Sequence, residues 1–145
     1  MLKIKISKLN PRAIIPEYKS EGAAGMDLYS LDDIEIAAND IALVSTGLQI
    51  EIPDGYEAQI RPRSGMALKK ITVLNSPGTI DSDYRGEIKI ILFNAHNTPV
   101  KIQSGSRVAQ MVIAPVIRAE FEIVSPENLS VTERNKSGFG STGNF

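Results

Sequence analysis

The sequence predicts an all-β fold, a sandwich or barrel formed by one domain. Apolar residues recur with a period of two along most of the 145-residue chain. Short strand-like runs are separated at even intervals by turn signals such as NP, PDG, SPG, NTP and SGS. Only one segment has a convincing helical pattern. The length suits a single core, and no repeat or linker divides the chain.

The elements follow in order. Leu2, Ile4 and Ile6 alternate with Lys3 and Lys5, the pattern of a half-buried strand. Strand-like runs continue with MDLYS (26–30), IEIA (34–37), IALVSTGLQIEI (41–52) and GYEAQIR (55–61). They resume with ITVL (71–74), GEIKIILFN (86–94), VKI (100–102), RVAQMVIAPV (107–116) and AEFEIV (119–124). SGMALKK (64–70) predicts about two helical turns, with Ser64 as N-cap and lysines at the C-terminal end. PENLS (126–130) predicts a single turn.

Composition narrows the chemistry. A net charge of −1 provides no global basic field, so stable nucleic-acid binding is not expected. The absence of cysteine removes disulfides, thiolate nucleophiles and Cys-based zinc sites. His96 is the only histidine, which excludes a His-rich metal site and makes any Ser-His-Asp triad depend on that single residue. The opening MLKIKISKLN lacks a signal-peptide core, and VIAPVI (112–117) is too short to span a bilayer. These features predict a cytoplasmic protein with no membrane association.

Several stretches carry more chemistry than a scaffold needs, and each has two readings. GTIDSDYRGE (78–87) crowds Asp81, Asp83, Tyr84 and Arg85 into what reads as a hairpin bend. It is either a charged turn with Arg85 as ion partner or a site with Asp81 as general base and Tyr84 against a sugar. Asn75 and nearby backbone groups offer hydrogen bonds to a base edge. RPRSGMA (61–67) is a capped turn or an anion site built from Arg63, Ser64 and Gly65. Asp27 either ends a turn or orders an arginine or metal-bound water. Gln110, alone in an apolar strand, faces solvent or donates to a phosphate. The Gly- and Ser-rich RNKSGFGSTGNF (134–145) is a frayed terminus or a flap that stacks Phe139 on a base.

Taken in order, AGMDLYS (24–30), PRSGMA (62–67), GTIDSDYRGEI (78–88), RVAQMVI (107–113) and RNKSGFGSTG (134–143) resemble the five motifs of the trimeric, all-β dUTPase family. The resemblance spans nearly the whole chain, and its third and fifth motifs are the most specific. It implies a distorted jelly roll with one short helix, a homotrimer with shared active sites, and hydrolysis of dUTP to dUMP and pyrophosphate. That activity keeps uracil out of DNA and supplies dUMP for dTMP synthesis. Residues 1–133 would form the body and 134–145 a flexible lid.

By the same resemblance, Asp81 activates the water that attacks the α-phosphorus, and Tyr84 packs on the deoxyribose. Asn75, Gly78, Thr79 and Ile80 correspond to the uracil-reading hairpin. Arg63, Ser64, Gly65 and Gln110 correspond to the phosphate-binding positions, with Asp27 in support. Arg134, Phe139, Gly140, Ser141 and Thr142 correspond to the lid. Mg2+ is implied on the triphosphate and waters, with no direct protein ligand. The chain departs from the family pattern at Asn135 and Ser137, where glycine is usual, and at Met26, where an aromatic is common. Two rival readings are a dCTP deaminase on the same fold and a non-catalytic regulatory trimer. The triphosphatase arrangement of Asp81 and Tyr84 argues against the first, and an intact Asp81 and lid against the second.

Overall fold

The computed structural model describes residues 1–143. Its strands are β1 (Lys5–Lys8), β2 (Met26–Tyr29), β3 (Ile34–Ile36), β4 (Ile41–Ser45), β5 (Leu48–Glu51) and β6 (Tyr56–Arg61). There follow the helical turn α1 (Ser64–Ala67), then β7 (Ile71–Val73), β8 (Gly78–Ile80), β9 (Lys89–Asn94), β10 (Val100–Ile102) and β11 (Arg107–Pro115). A 3-10 turn spans Pro126–Asn128. One sheet has the order β2-β11-β6-β8 and another β4-β9-β7, with two-stranded ribbons β1-β5 and β3-β10. The fold is an all-β jelly roll, as the period of two predicts.

Alternation sets the core. In β9, Ile90, Leu92 and Asn94 point inward, while Lys89, Ile91 and Phe93 lie on the other face. Leu28, Ile60, Ile80 and Met111 from the four-stranded sheet join Val44, Val73, Ile90 and Leu92 from the three-stranded sheet in one buried cluster. Each such aliphatic side chain contributes about 1.5–3 kcal/mol of burial free energy. The buried Asn94 amide donates to the carbonyls of Ile36, Ala37 and Thr98, and its oxygen accepts from the His96 N–H. A buried polar group needs such partners, and here they tie β9 to the β3–β4 turn.

Several sequence expectations change. The first strand begins at Lys5 rather than Leu2, and all of β1 is exposed, so it is not half-buried. The 41–52 run is two strands, because Thr46 turns inward. Its hydroxyl donates to the Ile88 carbonyl and accepts from the Leu48 N–H. Segment 119–124 alternates like a strand but pairs with nothing among the described residues, and Phe121 and Ile123 are fully exposed. The helix is one turn. Arg63 occupies the cap position with extended backbone, Ser64 is already helical, and no side chain caps it.

Segment 81–88 is not a hairpin. Strand β8 pairs with β6, whereas β9 pairs with β4 and β7, so the segment crosses from one sheet to the other. Backbone bonds from Ile88 to Leu48 and side-chain bonds from Thr46 anchor its far end.

Candidate active site

The four-stranded sheet lays the motif segments side by side. Strand β2 carries the first, β11 the fourth, β6 leads into the second, and β8 opens the third. On β11, Gln110 faces Asp27 on one side and Arg61 on the other. Its amide donates to the Pro62 carbonyl at 2.9 Å. Gly25 leaves the room for this, since a Cβ there would lie 2.7 Å from Gln110 Oε1. Asp27, only 16% exposed, accepts from Arg63 Nε at 2.7 Å, and Arg107 Nη1 lies 3.5 Å from its other oxygen. Asp27 thus orders an arginine, and the ion pair fixes the Arg63 fork beside α1.

That fork opens onto a basic hollow. Arg63, Gly65, Lys69, Arg107 and Lys19 line it, along with Ser106. Ser64 lies at the start of α1, whose first N–H groups have no intrahelical partner. Lys19 hydrogen-bonds Glu17, which holds the Glu17 carboxyl below its ordinary range.

The third motif forms a separate surface. Thr79, Ile80, Asp81, Tyr84, Glu87 and Lys89 line a small cavity, and Asp81 also borders a cleft with Tyr56 and Glu57. Asp81 is exposed and has no ion pair among the described residues. Arg85 does not pair with either neighbouring aspartate; it donates to the Ser82 and Tyr84 carbonyls. The Tyr84 ring lies over Gly86, where a Cβ would come within 2.2 Å of the hydroxyl, and that hydroxyl donates to the Glu87 carbonyl. Asn75 packs by Gly78, its amide nitrogen 3.3 Å from where a Cβ would stand.

Asp81 and Arg63 lie toward opposite ends of the sheet. The β6–β8 register pairs Ile80 with Ala58 and Gly78 with Ile60, so Asp81 falls beside Glu57 while Arg63 lies beyond Arg61. Six residue-to-residue steps of extended chain lead from Glu57 to Arg63, about 20 Å of strand. The basic hollow and the Asp81 surfaces share no lining residue.

The C-terminal segment folds on itself. Arg134 Nε donates to the Ser137 carbonyl, and turns close from Ser141 to Gly138 and from Gly143 to Gly140. Asn135 has φ 44°, a left-handed conformation that asparagine tolerates better than most residues, so the missing glycine is accommodated. Phe139 is fully exposed, and Thr142 lies in the same terminal turns. Residues 144 and 145, the end of the expected lid, lie outside the described residues.

Sequence reasoning singled out neither Lys19 nor Lys69, which had no motif to mark them. Arg107 stood within a quoted motif but without a role. His96 is half-buried, and its Nε2–H donates to the Lys69 carbonyl at 2.6 Å, a structural contact. Among the described residues no group of three His, Cys, Asp or Glu could hold a metal, and no helix is long and apolar enough to cross a membrane. The exposed carboxylates and basic hollow fit magnesium carried on phosphate oxygens, a mode in which the ion keeps several waters.

An all-β sheet that gathers cations around one hollow, with a carboxylate and a tyrosine at a separate small cavity, fits the class of nucleotide-binding proteins. The dUTPase family model matches residues 11–143. The deoxyuridine 5'-triphosphate nucleotidohydrolase of Nautilia profundicola is 57% identical over 98% of this chain and 99% of its own length. That of Hydrogenobaculum sp. is 55% identical over the same shares, 98% and 99%. Among solved structures, the Staphylococcus bacteriophage 80alpha dUTPase with dUPNHPP superposes with a TM-score of 0.89 at 27% identity, covering 98% of this chain and 99% of the phage chain. The chain belongs to the dUTPase family.

Proposed function

We propose that the chain hydrolyses dUTP to dUMP and pyrophosphate, with Asp81 as general base. The observation that carries this reading is the alignment of Asp27, Arg63 and Gln110 on one sheet beside a basic hollow, in a member of the dUTPase family. Asp81 takes a proton from a water, whose oxygen attacks the α-phosphorus. The bond from that phosphorus to the bridging oxygen breaks, and pyrophosphate leaves. Arg63, the α1 backbone and Gln110 bind the phosphates and offset their charge. Magnesium, when bound on the triphosphate oxygens, supplies further charge neutralisation. Tyr84 packs on the deoxyribose, leaving no room for a 2′-hydroxyl, while Asn75 and the backbone of 78–80 read uracil.

The roughly 20 Å between Asp81 and Arg63 supports a site shared between copies. We read the assembly as a homotrimer. One subunit presents Asp81 and Tyr84, a neighbour presents the basic hollow, and the third lends residues 134–145 as a lid. Phe139 stacks on uracil, while Arg134, Gly140, Ser141 and Thr142 close on the phosphates and exclude water. The exposed apolar residues of segment 117–131 support an arm that lies against another subunit.

The test is pyrophosphate release from dUTP, dCTP, dTTP and UTP, with magnesium and with a chelator. Release from dUTP alone is expected, and it should fall when magnesium is removed. Ammonia release from dCTP would favour the deaminase instead.

A further inference from the structure

The basic hollow holds more positive charge than the motif residues account for. Lys19, Arg63, Lys69 and Arg107 all line it. Asp27 is shared by Arg63 and Arg107, and Glu17 engages Lys19. Two carboxylates therefore face four cations, and Lys69 has no ion pair among the described residues. The Lys69 backbone is held at both ends. Its N–H donates to the Met66 carbonyl at 2.9 Å, and its carbonyl accepts from His96 Nε2 at 2.6 Å. The fixed backbone sets where the unpaired ammonium can reach, and an anion need only offset the rotamer freedom of the side chain. Lys19, on the segment before β2, pairs with Glu17 at an exposed position, where solvent screens the pair and a stronger anion displaces it.

We propose that Lys69, assisted by Lys19 across the hollow, is a specificity-determining residue that reads the terminal phosphates and selects triphosphate over monophosphate. This rests on the dUTPase reading above. Gly65 of the second motif lines the same hollow, so the lysines extend the phosphate path rather than form a separate site. A pyrophosphate group brings several negative charges that Arg63, already paired with Asp27, does not balance alone.

The experiment compares wild type with Lys69→Ala, Lys69→Arg and Lys19→Ala. For Lys69→Ala the KM for dUTP should rise about tenfold, the scale of one charge-assisted contact. Its kcat should change much less, and inhibition by dUMP should stay at the wild-type level. Lys69→Arg should recover most of the loss, and Lys19→Ala should show a smaller rise. Calorimetric binding of inorganic pyrophosphate should weaken in parallel. An unchanged KM in Lys69→Ala, or dUMP weakened by the same factor, overturns the proposal. If wild type fails to hydrolyse dUTP, the functional reading falls by itself. The pyrophosphate titration then still decides: binding that Lys69→Ala weakens supports the lysine's role, and absent or unaltered binding overturns it. Lys69 is exposed, so the variants should keep the wild-type Tm; Lys69→Gln replaces any that does not.

Discussion

Asp81 stands exposed, without an ion pair among the described residues, at the junction of two concave surfaces. A carboxylate in that position is free to accept a proton from water. Asp81→Asn should lower kcat by about 10²–10⁴ while leaving binding of a non-hydrolysable dUTP analogue near its wild-type value; rapid-quench turnover and calorimetry measure the two. Gly86 has a different role. The Tyr84 ring occupies the space a side chain there would need. Gly86→Ala should push the ring away, break its bond to the Glu87 carbonyl, and reduce the preference for dUTP over UTP by about tenfold or more, read as the ratio of kcat/KM values. Much of this site was legible in the sequence, because motif residues such as Asp81, Tyr84, Arg63 and Gln110 carry unusual chemistry for their local elements. Lys19 and Lys69 were not, since a lone lysine among 16 cationic residues has no pattern until folding brings it beside others.

At the scale of elements, period-two alternation located most strands but not their partners. It says which face a residue takes and nothing about which edge the strand meets. Hence segment 81–88 read as a hairpin although β8 and β9 belong to different sheets. Segment 119–124 has strand periodicity, yet no sheet edge among the described residues receives it. The helix ended early for a local reason. After α1 ends at Ala67, turns run to Lys70, whose φ of 55° is a left-handed conformation that closes them and sends the chain into β7. A side chain is disfavoured there, so Lys70→Gly should raise stability by about 0.5–1 kcal/mol; urea unfolding at equilibrium reads the difference, and an unchanged or lower midpoint contradicts it.

For the whole molecule, one sheet gathers the first, second and fourth motifs beside a basic hollow and sends the third to its far end. In the proposed homotrimer a working site joins these parts from different copies, with the C-terminal segment from yet another. Two inactive variants test it most directly: Asp81→Asn with its tail intact, and a chain lacking residues 134–145 with Asp81 intact. Each alone should be nearly inactive while remaining folded. Refolded together in equal amounts, they should regain about a quarter of wild-type activity, because random trimers place an intact Asp81 and an intact tail at that fraction of sites. A mixture no more active than the sum of its two components would contradict the shared site.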